Sequence, residues 1–356
     1  MTEGSEIRNP KSGMDRREWL KTFGTAGALF LVSPALVNCQ KRAAGTEAAG
    51  EAVNLTKAKV AFVKTSNRSE GIRRAIELLH LKDEFKDKNL FIKPNFNSAD
   101  ATPGSTHGDT LQTLMEEMRA LKARSLTIGD RSGMGDTREV MKTKDIFALA
   151  KDGGAETIVF DDLKEEDWKA FQFKNSLWQK GFAVPKKVLE ADAVINTCCL
   201  KTHRYGGHFT LSLKNSVGLA AKRLPGNDYN FMRELHSSPD QRRMIAEINA
   251  AYKPALIVLD GVEAFTTGGP DAGKKVSSEV ILAGTDRIAI DAVGVALLRY
   301  FGTTPEVEKG RVFEQEQIAQ AVKLGLGVGA PEQIEFLTDD GASADYAKKI
   351  REKLVA

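Results

Sequence analysis

The sequence predicts an α/β fold: a mostly parallel, doubly wound sheet with helices on both faces and one irregular insertion. Three observations carry that expectation. Short apolar runs such as Val60-Ala61-Phe62-Val63 and Leu90-Phe91-Ile92 lack polar alternation and read as strands buried on both faces. Apolar residues at helical spacing separate these runs, giving a β-α-β-α-β-α-β order that suits parallel pairing. Polar residues then follow four of the strands: Lys93 and Asn95, Asp130 and Arg131, Lys201 and His203, Asp260 and Glu263. In a parallel sheet the carboxyl ends share one rim, which is where such folds place their sites.

The chain begins outside this pattern. Asp15-Arg16-Arg17-Glu18-Trp19-Leu20-Lys21 resembles a twin-arginine export signal, with Trp19 where Phe is usual. The uncharged run Thr22 to Val37 is shorter and less oily than the ~20 apolar residues of a spanning helix, so it suits a cleavable signal. Leu36-Val37-Asn38-Cys39 resembles a lipobox with Cys39 as the lipidated residue, although Asn38 departs from the usual small residue. We therefore expect a signal peptide over 1–39, a flexible tether over 40–55 and a single α/β domain over 56–356. The signal implies the twin-arginine translocation machinery as a partner. It also implies export across the bacterial inner membrane, to the periplasm or the outer face of a membrane. Lipid anchorage through Cys39 is favoured slightly over release.

Within the domain, Ala58 to Val63 is the first expected strand, and Ile72, Ala75, Ile76 and Leu79 mark the first helix. Leu90 to Ile92 is ended by Lys93-Pro94-Asn95 and a loop to His107. Leu111, Leu114, Met115 and Met118 line the next helix, followed by strand Ser125 to Ile128. Asp136 or Thr137 can cap a helix that Gly153-Gly154 closes, before a strand at Thr157 to Phe160. Lys164 to Lys180 has no clean period and is expected to cover an edge. A short helix over Pro185 to Glu190 feeds the strand from Asp192. Ala220 to Pro239 is the insertion, long enough to suggest a function. Strands at Ala255 to Leu259 and Val280 to Ala283, a buried helix over Ile288 to Leu298, and two helices around a strand near Ile334 to Phe336 complete the chain.

Composition excludes some classes. With 356 residues, 42% hydrophobic and 28% charged, the chain can bury a large core. Its 51 basic and 48 acidic residues leave a charge of only +3, and no basic stripe interleaved with aromatics is present, so nucleic acid is not expected as a partner. Adjacent Cys198 and Cys199 are expected as small buried strand residues, since neighbouring α-carbons lie too close for an ordinary disulfide. With Cys39 assigned to the signal, too few thiols remain for an iron–sulfur cluster of its own. Gly268 to Lys275 nearly spells a phosphate-binding loop, but Lys275 replaces the magnesium-binding hydroxyl and a strand follows, so a hairpin is expected. Arg138 replaces the third glycine of a dinucleotide fingerprint that begins at Gly133-Met134-Gly135, which leaves at most an anion contact there. Asp291, inside an apolar helix, is expected to pair with Arg287 one turn earlier.

The convergence of Lys, His, Arg and carboxylate at strand ends points to a small anionic ligand. Lys93, Lys201, Arg204 and Lys214 would neutralise it, and Asn95 and Asn215 would orient it. His203 would act as acid or base beside Lys201, whose charge lowers the imidazole's pKa, and Asp130 would position it. The cofactor is open: His208 and His203 on one loop, with Asp130, Asp260 or Glu263, would be the ligands of a divalent metal, though no helical His-x-x-x-His spacing supports it.

Taken together, Ile92-Lys93-Pro94-Asn95, Leu200-Lys201-Thr202-His203, Leu213-Lys214-Asn215 with Gly218, Asp260-Gly261 with Glu263, Gly268-Gly269-Pro270, and Gly284-Thr285-Asp286 with Asp291 resemble the bacterial and archaeal family called domain of unknown function 362. The resemblance covers nearly all of Val60 to Ala296 in order. It implies no assigned reaction. Some members carry ferredoxin-type iron–sulfur modules, whose cysteine series this chain lacks. The leading expectation is an exported enzyme acting on a small anion by acid/base or metal-assisted chemistry. The alternatives are a lipid-tethered binding protein without turnover and an accessory redox protein served by a partner's cluster.

Overall fold

The computed structural model describes residues 57–356. The expected signal, Cys39, the tether and the first expected domain residue, 56, lie outside the described residues. Among the described residues no helix is long and apolar enough to cross a membrane.

The strands are β1 (Ala58–Lys64), β2 (Asn89–Lys93), β3 (Ser125–Asp130), β4 (Glu156–Val159), β5 (Trp168–Phe171), β6 (Phe182–Pro185), β7 (Ala193–His203), β8 (His208–Thr210), β9 (Pro254–Gly268), β10 (Gly273–Gly284) and β11 (Ile334–Leu337). The helices used below are α1 (Arg68–Leu79), α2 (Gly108–Ala120), α3 (Thr137–Thr143), α4 (Ile146–Asp152), α5 (Ser212–Asn215), α6 (Phe231–Ser237), α7 (Gln241–Ile248), α8 (Arg287–Tyr300), α9 (Glu316–Lys323) and α10 (Gly341–Val355).

One large sheet runs in the order β11-β1-β10-β9-β7-β2-β3-β4, with β8 folded back on β7. β10 pairs antiparallel with both β1 and β9, whereas the other neighbours along the path are parallel, so β10 alone opposes the rest. The expected mostly parallel, doubly wound sheet is what forms. Alternate residues of each buried strand supply its two faces. Ala61, Val63, Ile92, Ile195 and Val258 pack under α1 to α4. Val60, Phe62, Cys198, Ile257 and Leu259 pack under α8, α9 and α10 on the other side. On that second face Phe91 and Val194 are covered by β5, β6, α6 and α7, with Trp168, Trp178 and Phe182 filling the gap. The aromatic stretch from Lys164 therefore covers a face of the sheet, where its rings bury more apolar area than an edge would offer.

From β2 the chain steps outward through β3 to β4, then returns on the other side of β2 as β7 and continues to β9. The direction of stepping reverses between β2 and β7, and the crevice beyond their carboxyl ends is the place this architecture reserves for ligands.

Several boundaries differ from expectation. β7 continues through Lys201 to His203, and β9 continues through Asp260 and Glu263 to Gly268. A reading that ends a strand at its first charged residue stops too soon, because here each of those charges has a tertiary partner. Cys198 and Cys199 are buried, and burial raises both thiols. Gly268 to Lys275 turns β9 into β10 as a hairpin. The helix expected after Asp136 is two, α3 and α4, separated at Asp145, whose φ is 54°. Asp291 does not pair with Arg287. Its carboxyl accepts the Ser212 and Leu213 N–H groups at 2.8 and 3.0 Å and so holds the start of α5, while Arg287 donates to the Asn249 and Tyr252 carbonyls. Burial raises Asp291 to about 8.

Candidate functional site

A cavity of about 430 Å³ opens beyond β2, β3 and β7. Its floor is a network of buried amides and charges. Lys93, at the end of β2, lies 2.7 Å from Asp130 Oδ1 at the end of β3, and both side chains are almost fully buried. Asp130 also accepts the Phe96 and Arg131 N–H groups, each at 2.7 Å. Burial is the largest influence on this pair, raising the Asp130 carboxyl and lowering Lys93, and each charge opposes the other's shift. Such a buried pair stands only because further hydrogen bonds complete it.

Gly218 explains why the pair fits. A Cβ there would lie 2.4 Å from Asp130 Oδ1 and 2.8 Å from Lys93 Nζ, so only glycine lets the backbone approach. Asn215 ties the strands together: its Nδ2 donates to Asn196 Oδ1 at 2.6 Å and to the Thr197 carbonyl at 3.1 Å, and its Oδ1 accepts from Asn95 Nδ2 at 2.9 Å. Asn95 Oδ1 in turn accepts from Lys201 Nζ at 2.8 Å, and Lys201 also donates to the Gly104 carbonyl. An ammonium carries three N–H donors, so one of Lys201's is unspent. Burial lowers Lys201 to about 8.

Lys214 differs from Lys93 and Lys201. It is 7% exposed and lines the cavity, yet its ammonium makes no hydrogen bond or ion pair with any described residue. Burial, then Lys201 and Arg131, lower it to about 7. His203 stands nearby: a Cβ on Gly207 would lie 2.5 Å from Lys214 Cε and 3.1 Å from His203 Nδ1, so that glycine admits both side chains. His203 Nδ1 is buried without a partner among the described residues, and burial with Lys214 and Lys201 holds the ring well below the ordinary histidine pKa, hence neutral. Thr210, opposite Lys201 in the β7–β8 hairpin, and Asn97 also line the cavity and leave Oγ1 and Nδ2 unpartnered.

The sequence-predicted residues divide cleanly. Lys93, Asn95, Asp130, Lys201, His203, Lys214 and Asn215 meet around this cavity or directly beneath it. Arg204 does not: it is bonded to Asp271 at 2.8 Å and to the Gly269 carbonyl, joining two hairpin turns at the rim. The three residues expected to ligate a metal with His203 are not brought together. Asp260 and Glu263 share Arg68 at 3.0 Å each, Asp260 also accepts from Thr110, and Glu263 holds Lys275. His208 faces His203 in register but takes a φ of 63°, and its ring feels Arg242, Glu306 and Glu316, outside the cavity. Among the described residues no group of three His, Cys, Asp or Glu side chains stands ready for a metal ion.

Residues without a sequence-assigned role complete the wall. Arg131 donates to the Ala220, Val217 and Ser132 carbonyls, pinning the insertion over the site. The insertion returns Lys222, Met232 and His236 to the cavity. His236 Nδ1 lies 2.7 Å from the Met232 carbonyl, so it donates and leaves Nε2 as the ring's acceptor. The unusual length of the insertion was the available signal. Asn97, two residues beyond Asn95 in a polar loop, offered none that set it apart.

The cavity's charge is one-sided. Arg131, Lys201, Lys214 and Lys222 line it, and the single lining carboxylate among the described residues, Asp130, is already engaged by Lys93. With low-dielectric walls, such an excess attracts anions.

No curated protein matches this chain. Among solved structures, a lactate racemase apoprotein from Thermoanaerobacterium thermosaccharolyticum is similar at a TM-score of 0.41 and 15% identity, over 82% of this chain and 85% of that one. Residues 90–296, more than half of the chain and including every residue that lines the cavity, match the family described as "Domain of unknown function (DUF362)", and the chain belongs to that family.

Proposed function

We propose that the protein is an enzyme acting on a small anionic substrate by acid/base chemistry in the cavity beyond β2 and β7. One observation carries this reading: among the described residues the wall holds buried cations without a free counter-carboxylate, beside an imidazole whose Nδ1 has no partner. Lys201's unspent N–H and the Lys214 ammonium would bind the anion, with Asn95 held in place by Asn215. His203, kept neutral by burial and its cationic neighbours, would accept a proton from bound substrate. Asp130 would act indirectly, by holding Lys93 and the backbone at Phe96. The twin-arginine pattern at Arg16-Arg17 supports export, and Cys39 supports lipid anchorage.

The same cation excess supports a second reading, a ligand-binding protein without turnover. Titrating a panel of small oxyanions, with and without an acidic C–H, by calorimetry and by proton–deuterium exchange separates the two. An enzyme would catalyse exchange that His203→Ala abolishes while oxyanion affinity stays within a fewfold. Binding without exchange across the panel favours the binding protein, and absence of any oxyanion binding overturns both.

A further inference from the structure

Lys93 is matched by Asp130 and Lys201 by two carbonyl-type oxygens, but nothing among the described residues matches Lys214. The groups facing it are Lys201 and His203 from β7, Arg131 beyond β3 and His236 from α6, all cationic or neutral, with Asp130 turned to Lys93. A lysine buried in this way beside other cations is the arrangement that makes an amine neutral and nucleophilic near neutral pH.

We propose, on the anion-site reading above, that Lys214 is a covalent catalytic residue whose amine captures the carbonyl carbon of a small oxo acid as a Schiff base. Lys201's remaining N–H would hold the substrate carboxylate. Lys214 Nζ attacks the carbonyl carbon, forming a C–N bond. The proton that the nitrogen loses passes, with the His203 ring as carrier, to the former carbonyl oxygen. A further proton from solvent releases that oxygen as water and leaves a protonated C=N bond. No oxidant or reductant is consumed. Gly207 is the structural provision for this step, because a Cβ there would collide with Lys214 Cε and crowd His203 Nδ1.

The test uses the full chain with glyoxylate or pyruvate as probe, borohydride to reduce any imine to a stable amine, and peptide mass mapping. The expected result is one dominant adduct on Lys214. Its rate of formation at low probe concentration should rise through pH 7, peak between about pH 7 and 8 and fall as Lys201 loses its proton, whereas labelling of surface lysines keeps rising toward their ordinary pKa of about 10.4. Oxalate, an anion without an electrophilic carbonyl, should suppress it, and Lys214→Arg should remove it. No adduct, or labelling spread over surface lysines and unaffected by oxalate, overturns the proposal. Mapping on the unmodified chain keeps the test valid if Lys214→Arg folds poorly. Oxalate titration by calorimetry separates the two levels: oxalate binding without trapping defeats the imine alone, and absence of both defeats the anion site as well.

Discussion

Two clusters of charge stand near the carboxyl ends of the sheet, and from the sequence they look alike. In one, Arg68 and Lys275 meet Asp260 and Glu263, so two cations face two carboxylates with distances of 2.7 to 3.0 Å. In the other, Lys93 and Asp130 neutralise each other at the floor while Lys201, Lys214 and Arg131 are left facing a cavity. The first is closed in charge and space and joins α1, α2 and β9. The second has surplus charge, an unpartnered imidazole nitrogen and room for a ligand. Polar residues at strand ends therefore do not mark a site by themselves; an unbalanced set around a void does.

The contrast can be broken by mutation, and the largest effect should come from the floor. Asp130→Ala leaves Lys93 buried without its partner and should lower unfolding free energy by about 3–5 kcal/mol in denaturant titration. Gly218→Ala, which pushes a methyl into the same pair, should cost about 1–3 kcal/mol. Comparable stability in either variant would show that the pair is not confined as the geometry says.

Lys214→Met should do the reverse for stability and harm binding. The folded state depresses this ammonium below its unfolded pKa, so the unfolded chain binds more protons between about pH 7 and the ordinary lysine value. Lys214 therefore destabilises the fold most below pH 7, and the wild type recovers as pH rises. The variant should gain up to roughly 4 kcal/mol at pH 6, a gain that fades by about pH 10, while oxyanion affinity drops at least tenfold. Thermal unfolding across pH and calorimetry check both signs.

Reversible oxyanion binding should itself weaken as pH rises from 6 to 9, since Lys214 near 7 and then Lys201 near 8 lose their protons. The slope should approach about tenfold per pH unit between pH 7 and 8, from Lys214 alone, and steepen above pH 8 as Lys201 joins it. Imine trapping, which needs the neutral Lys214 amine and the charged Lys201, should instead pass through a maximum between about pH 7 and 8. Gly207→Ala should weaken oxyanion binding about tenfold with a stability change under about 1 kcal/mol, because Lys214's flexible end can move aside.

The neutral cluster should give the smallest functional response. Asp260→Ala is expected to cost about 2–3 kcal/mol of stability through Arg68 and Thr110, with oxyanion affinity unchanged within twofold. Glu263→Gln, at a partly exposed carboxylate, should change stability by under about 1 kcal/mol. A tenfold loss of oxyanion affinity in either would show that the two clusters act as one site after all.

Local pattern made much of this protein readable. The apolar runs at β1, β2 and β9 are too short for buried helices and so read as buried strands, and α1 and α2 showed their inner faces through Ile72, Ala75, Leu111 and Leu114. The region of the site was readable for the same reason, because polar groups directly after buried strands must reach the carboxyl rim. What local pattern could not carry was pairing. Lys201 and Asp260 look like strand ends because a charge inside a sheet is costly, yet both sit within strands since Asn95 and Arg68, more than 100 residues away in sequence, satisfy them.

By itself, then, the sequence determined the α/β class, the order of the buried strands and the list of polar residues available at one rim. Only the tertiary structure decided which of those residues share a void. Periodicity reports the environment of each residue separately, whereas charge balance belongs to a set: Asp291 joined α5, Asp260 and Glu263 joined Arg68, and among the described residues Lys214, unlike the buried Lys93 and Lys201, was left without an acceptor for its ammonium.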